Sequence, residues 1–467
     1  MKASIRFLGL AVPLVMLLPI CGFASDPAKM PDTDLIVTAA PVYEPLAALH
    51  GGERFPAGAQ LFIVHGGRTE PLVSDFVATA DANLSFDGKS VLFAGKKAAG
   101  DPWQIWEFAI GDHSLRRLIA GSADAILPLY LPAGRLVFAQ RTPQGFQLVA
   151  AGKDSSLAAA PLDANVGSTL SPLSYMSANS VPADVLADGR ILFEAGYPLG
   201  SGATPDLFLV YQDGSGVESV RCDHGTARWG GRQLTSGDLV FTHGTTLARF
   251  TSKFAHEVQV NSPRGQYAGA IAETHAGDWL VSERPSAASR YALKLWKPGA
   301  AAMQTLLAVD GENIVEPVVV APRTRPNHHP TGLHPWNYGN LLALDARQSR
   351  LGDLPKTPAS VRLETLDSQG RIVVNGTAPV ESDGSFFVQV PGDRPIRFAL
   401  LSETGSVVRK EAGWFWIRKG EQRICVGCHT GPERGSENRV PAVLQRTTTP
   451  ADLTGVKVVA DSKAGGQ

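Results

Sequence analysis

Cysteine is nearly missing from this chain, with four in 467 residues. Cys21 falls inside an N-terminal leader-like segment, so a processed chain would keep Cys222, Cys425 and Cys428. So small and odd a number excludes a disulfide framework in a chain of this length. An excess of charge of either sign is missing too: 43 basic residues balance 44 acidic ones, for a net charge of −1. That removes the electrostatic case for nucleic acid or an anionic membrane surface as partner. Past the leader, no apolar run is long enough for a membrane helix. No Ser-His-Asp arrangement, phosphate-binding loop or HExxH motif stands out. Methionine is scarce, leaving Met30, Met176 and Met303 as the thioethers of a processed chain.

The leader begins with Lys2 and Arg6 as a short basic region, followed by an apolar stretch from Phe7 to Ile20 and the small-x-small triplet Gly22-Phe23-Ala24. The apolar stretch is too short for an ordinary spanning helix, and the pattern predicts a secretory signal peptide over 1–24, cleaved after Ala24, with export to the periplasm. Lipid anchoring at Cys21 would call for a small residue before it. Ile20 stands there instead, so a cysteine lost with the signal is the preferred reading.

Glycine (48) and proline (33) are plentiful, which suits short strands joined by turns. One pattern recurs: a turn closing on glycine, a polar residue, then a short apolar run. It appears as FDGKSVLFA, PAGRLVFAQ, ADGRILFEA, TSGDLVFTH and HAGDWLVSE, anchored on Gly88, Gly134, Gly189, Gly237 and Gly277 at spacings of 46, 55, 48 and 40. These are the spacings of propeller blades, each a four-stranded sheet. AQLFIVHGG (59–67) and NIVEPVVVA (313–321) are strand-like at the two ends, and pairing them would close the ring and remove its edges. The predicted fold is all-β: a six-bladed β-propeller over 55–322, preceded by an extension (25–54). A Pro/His-rich interdomain loop (323–339), a small β-sandwich-like domain (340–447) and a disordered tail (448–467) follow it.

RICVGCHTGPERGSENR raises the functional question. Cys425, Cys428 and His429 form C-x-x-C-H, the order of c-type haem attachment: two thiols add to the porphyrin vinyl groups and the adjacent histidine serves as axial ligand. A disulfide and a zinc site are the alternatives, the latter weakened because no second CxxC supplies the remaining ligands. Attachment outside the cytoplasm agrees with the leader. Arg434 and Arg439 are candidates to pair with haem propionates, against surface arginines as the plain reading. Trp414, Phe415 and Trp416 are expected on the porphyrin edge or in the sandwich core. His328, His329 and His334 are expected in a polar surface loop, or as a distal haem ligand or a copper or zinc cluster. Cys222, in RCDHGTARWGG with His224, reads either as a small buried hydrophobe or as a metal or haem-edge residue.

YQDGSGVESV resembles the blades of TolB-type propellers. PVESDGSFFVQVPGDRPIRFALL, GWFWIRKGEQRICVGCH and ENRVPAV resemble the middle domain of the hydrazine synthase alpha subunit family. The resemblance implies a TolB-like propeller followed by a β-rich domain holding one c-type haem, with a place in a multi-subunit complex. In that family a tyrosine four residues past the motif histidine is an axial ligand, and the histidine shares zinc with a propeller cysteine. Glu433 stands at that offset here, and Cys222 is the matching propeller cysteine candidate. No second CxxCH follows before Gln467. Two functions remain open: a redox protein, transferring electrons to a partner protein or acting on a small molecule at the haem, or a propeller binding module whose haem is structural or sensory.

Overall fold

A computed structural model describes residues 33–152, 170–176, 178–197, 204–221, 227–251, 255–350, 352–427, 434–435 and 437–455. The predicted leader lies outside them. Among the described residues the chain is almost wholly strands and turns, in eight sheets. Six follow one another along the first two thirds of the chain and touch in cyclic order, the sixth returning to the first, as in a β-propeller.

The ring is closed by a strand the repeat pattern did not reveal. Leu35–Ala40 lies between Gln60–His65 and Asn313–Val319, antiparallel to both. The segments 59–67 and 313–321 therefore do not pair directly, and the ring begins before residue 55. The reason is hydrophobic: all six residues of LIVTAA are buried, which suits only a central strand packed on both faces. The five repeat glycines take the left-handed conformation the sequence calls for, with φ of 75°, 72°, 90°, 89° and 81° from Gly88 to Gly277.

The last two sheets form a sandwich. One contains Gln422–Gly427, Tyr338–Asp345, Phe386–Pro391 and Ala451–Asp452 in that order; the other contains Ile372–Pro379, Ser360–Leu366, Ile396–Leu401 and Val407–Lys410. Leu341, Phe386 and Val388 from the first meet Leu363, Ile396 and Phe398 from the second in one core. The tail is ordered further than the sequence suggests. Ala451–Asp452 pairs parallel to Phe386–Pro391, and Leu453, 3% exposed, plugs the sandwich core.

The Pro/His-rich segment between ring and sandwich is a strap. Arg323 N donates to Phe86 O in a turn of the second sheet (2.9 Å), and Asn327 N donates to Ala187 O in a turn of the fourth (3.0 Å). Two repeat glycines let it lie flat. A Cβ on Gly88 would come within 3.0 Å of Pro322 N, and one on Gly189 within 2.2 Å of Asn327 O.

Candidate functional site

The segment GWFWIRKGEQR leads directly into the cysteine motif, and it fastens the sandwich to the ring. Trp416 is 0% exposed, and its surroundings belong to the third and fourth sheets: Leu131, Val137, Leu148, Phe193 and Phe208. Its Nε1–H donates to Gly214 O at 2.8 Å. The tryptophan expected on a porphyrin edge or in the sandwich core is instead sealed inside the ring. Trp414 is half-buried under the Arg397 guanidinium, 4.3 Å from its ring centre, and Phe415 touches both the ring and the sandwich cores. Met176 packs in the same core as Trp416, and Met303 packs between the fifth and sixth sheets.

Polar contacts complete the joint. The Arg418 guanidinium donates to Asp213 O and to Asp393 Oδ1 (2.8 Å). Glu421, 6% exposed, accepts from Gly216 N (3.1 Å), Arg418 N (2.7 Å) and Arg423 Nε (2.9 Å). Gly214 takes φ 82°, where a Cβ would stand 2.6 Å from Arg418 Nη1. No periodicity announces Glu421; its place between Arg418 and Arg423 in RKGEQR is the one signal that could have found it.

Cys425 lies two residues beyond Arg423, on the edge strand Gln422–Gly427, opposite Ala343 in a parallel register. Alternation turns its side chain toward the sandwich core, while Ile424, 66% exposed, faces out. Burial pushes the Cys425 thiol above its ordinary range; Arg423 opposes this, and Glu411, Glu421 and Glu218 add to it. The thiol is thus a poor spontaneous thiolate, which disfavours a reactive dithiol. Cys428, His429 and Glu433 lie outside the described residues, as do Cys222 and His224.

The remaining candidates are engaged elsewhere. Arg434 Nη1 donates to Asp353 Oδ1 at 2.7 Å. Arg439 pairs with Asp383 (3.3 Å) and Glu437 (2.9 Å). Both guanidiniums thus already have carboxylate partners. His328 Nδ1 lies 3.3 Å from Gln212 Oε1, and His329 Nε2 hydrogen-bonds Asp188 O. His334 stacks on Trp336 at 4.3 Å, which stacks on Tyr338 at 5.5 Å. The three histidines serve the strap separately, and among the described residues no group of three His, Cys, Asp or Glu side chains is arranged to hold a metal ion.

Residues 350–430 match the hydrazine synthase alpha subunit middle domain family. No curated protein sequence matches the chain. Among solved structures, hydrazine synthase from Kuenenia stuttgartiensis superposes with a TM-score of 0.76 at 17% identity, over 89% of this chain and 72% of that one. TolB from Acinetobacter baumannii gives a TM-score of 0.45 at 10% identity, over 62% of this chain and 67% of that one. The identities speak for fold alone. The chain therefore carries, at 350–430, a domain of the hydrazine synthase alpha subunit middle domain family, within an architecture shared with hydrazine synthase over most of its length.

Proposed function

We propose that this is a periplasmic redox protein with a single c-type haem, attached through Cys425 and Cys428 with His429 as axial ligand, and that its ring is a six-bladed propeller. The observation that carries the reading is position. C-V-G-C-H begins on a sandwich edge strand immediately after the segment that locks that strand to the ring. The surroundings fit a bulky apolar group. Among the described residues the outer edge of Gln422–Gly427 has no partner strand, Cys425 on its core-facing side is only partly buried, and Ile424 presents exposed apolar surface on the opposite face. A bound haem would supply a one-electron couple. The protein's part is to hold the attachment strand against the ring through Trp416 and Glu421, and to keep His328 and His329 beside the same fourth sheet. No helix among the described residues is long and apolar enough to cross a membrane. The relation to an alpha subunit supports work within an assembly, with a partner protein or small molecule meeting the haem.

The test is covalent haem. Purified wild-type protein should exceed the mass of its chain by about one haem, because one motif is present. Cys425→Ser with Cys428→Ser should be negative in denaturing haem staining, and retention of covalent haem in that double variant overturns the assignment. In the loaded protein, a low-spin EPR spectrum supports electron transfer and a high-spin one supports a ligand position at the iron.

A further inference from the structure

The innermost strands of the ring enclose a cavity of about 530 Å³ on its axis, with no lining residue from the strand that bears Cys425. The size is that of a small-molecule site. Its wall holds three non-glycine residues in the left-handed region: Asp81 (φ 62°), Leu127 (φ 53°) and Glu316 (φ 57°). Each sits where the inner strand of its sheet breaks register in a bulge. Backbone strain of this kind is kept where the surroundings over-determine it, and it gathers at binding sites.

The charges of the wall fall into two sets. The carboxylates are committed. Asp81 and Glu316 both pair with Arg54, and Asp81 Oδ2 also accepts from Leu127 N at 2.9 Å. Asp184 accepts from Val185 N and Gln233 N, each at 2.8 Å, and Glu273 accepts from Thr235 N at 2.8 Å. These bonds tie neighbouring sheets together.

The cations are not committed in the same way. Arg232 Nη1 donates to Gly231 O at 3.2 Å, and Arg323 Nη2 donates to Leu84 O at 3.2 Å with its guanidinium 4.6 Å over the Phe86 ring. Neither forms an ion pair with a carboxylate among the described residues. Arg323 reaches solvent at the rim, yet desolvation against the wall lowers its pKa; Asp184 opposes this, and the Arg232 charge adds to it. Two guanidiniums close enough to oppose each other, beside leucine, isoleucine and valine walls, favour an anion with an apolar body.

We propose that the axial cavity binds a small organic anion, its oxyanion head held by Arg232 and Arg323 and its apolar body against Leu129, Ile271 and Val318. Because Arg323 belongs to the strap, binding also fixes the strap across the mouth of the cavity.

The test uses the full chain and 1-anilinonaphthalene-8-sulfonate, an aromatic sulfonate, followed by fluorescence. The expected result is saturable binding, weakened tenfold or more in Arg232→Gln with Arg323→Gln. It should be largely kept in Arg232→Lys with Arg323→Lys, and unchanged in Arg325→Gln, an arginine of the same strap that does not line the cavity. Should the double glutamine variant lose its far-UV circular dichroism, Arg323→Gln alone carries the comparison, because that residue lies on the strap. Displacement by hexanoate identifies a carboxylate head and displacement by phenyl phosphate a phosphate head, and either supports the site. Absence of saturable binding, unchanged affinity in the glutamine variants, or displacement by neither anion overturns it.

Discussion

Replacing Trp416 by alanine should uncouple the sandwich from the ring without unfolding either. The side chain is 0% exposed and belongs to the sandwich segment, yet its packing partners belong to the third and fourth sheets. Truncating a buried tryptophan costs about 3–5 kcal/mol. Losing the Nε1–H bond leaves Gly214 O without its donor and adds about 1 kcal/mol. That penalty falls on the contact between the domains, because each domain keeps its own core. Urea unfolding followed by circular dichroism should therefore change from one transition to two. Limited proteolysis should at the same time open the strap at 321–334. Trp414→Ala is the control: half-buried beneath Arg397, it should leave the transitions merged. A single transition in Trp416→Ala, within about 1 kcal/mol of wild type, would refute the reasoning, since that loss is too small for a sealed wedge.

Gly189→Ala should destabilise the protein more than Gly277→Ala by thermal unfolding: both glycines have positive φ, but only the Cβ at 189 would strike the strap, 2.2 Å from Asn327 O. Equal losses would mean that the strap gives way freely. Burial raises the pKa of Asp81 to about 6 from 3.8, Arg54 pulling it down and Glu316 pushing it up. A folded-state value above the unfolded one means that its contribution is complete below 3.8 and is lost as pH rises through about 6. Asp81→Asn should flatten the fall in urea midpoint across that window, and an unchanged slope would count against the assignment. Glu421→Gln should weaken the joint by about 1–3 kcal/mol, because Arg418 and Arg423 lose a charged acceptor. Selective exposure of the strap to protease would report it.

The ring was legible because its signal is local. A turn glycine and the apolar run after it lie within nine residues, and all five such glycines have the predicted backbone sign. The closing strand was not legible, because its partners are remote: Thr38 Oγ1 reaches Glu316 Oε2 at 3.1 Å across 278 positions. LIVTAA falls in the expected N-terminal extension (25–54), where no turn glycine of the repeat marks it as a blade strand. Ala451–Asp452 escaped for a related reason, since two residues carry no period and their strand is imposed by Phe386–Pro391. The aromatic cluster before the motif was visible, but composition cannot tell a tryptophan which core it enters. The same limit applies to the strap. Its prolines and histidines mark a loop, while its course depends on Gly88 and Gly189, more than a hundred residues upstream.

Contacts connect the ring to the cysteine motif in an unbroken series. Trp416 and Arg418 grip the turn at Asp213 and Gly214, and Gly216, in the same turn, donates to Glu421. Glu421 in turn holds Arg423, two residues from Cys425. Glu218, in the ring strand that follows that turn, lies near enough to raise the Cys425 pKa through its charge. The strap reaches the same turn through Thr331 Oγ1, which donates to Asp213 Oδ2 at 2.9 Å. A domain tethered through a flexible linker alone would leave the motif free to reorient. Here two separate segments of chain fix one turn, and that turn fixes the strand that bears Cys425. Cys425 is therefore positioned by the ring as much as by the sandwich. A sandwich expressed alone would expose Trp416 and lose Gly216 as partner to Glu421, so the two domains must be studied together.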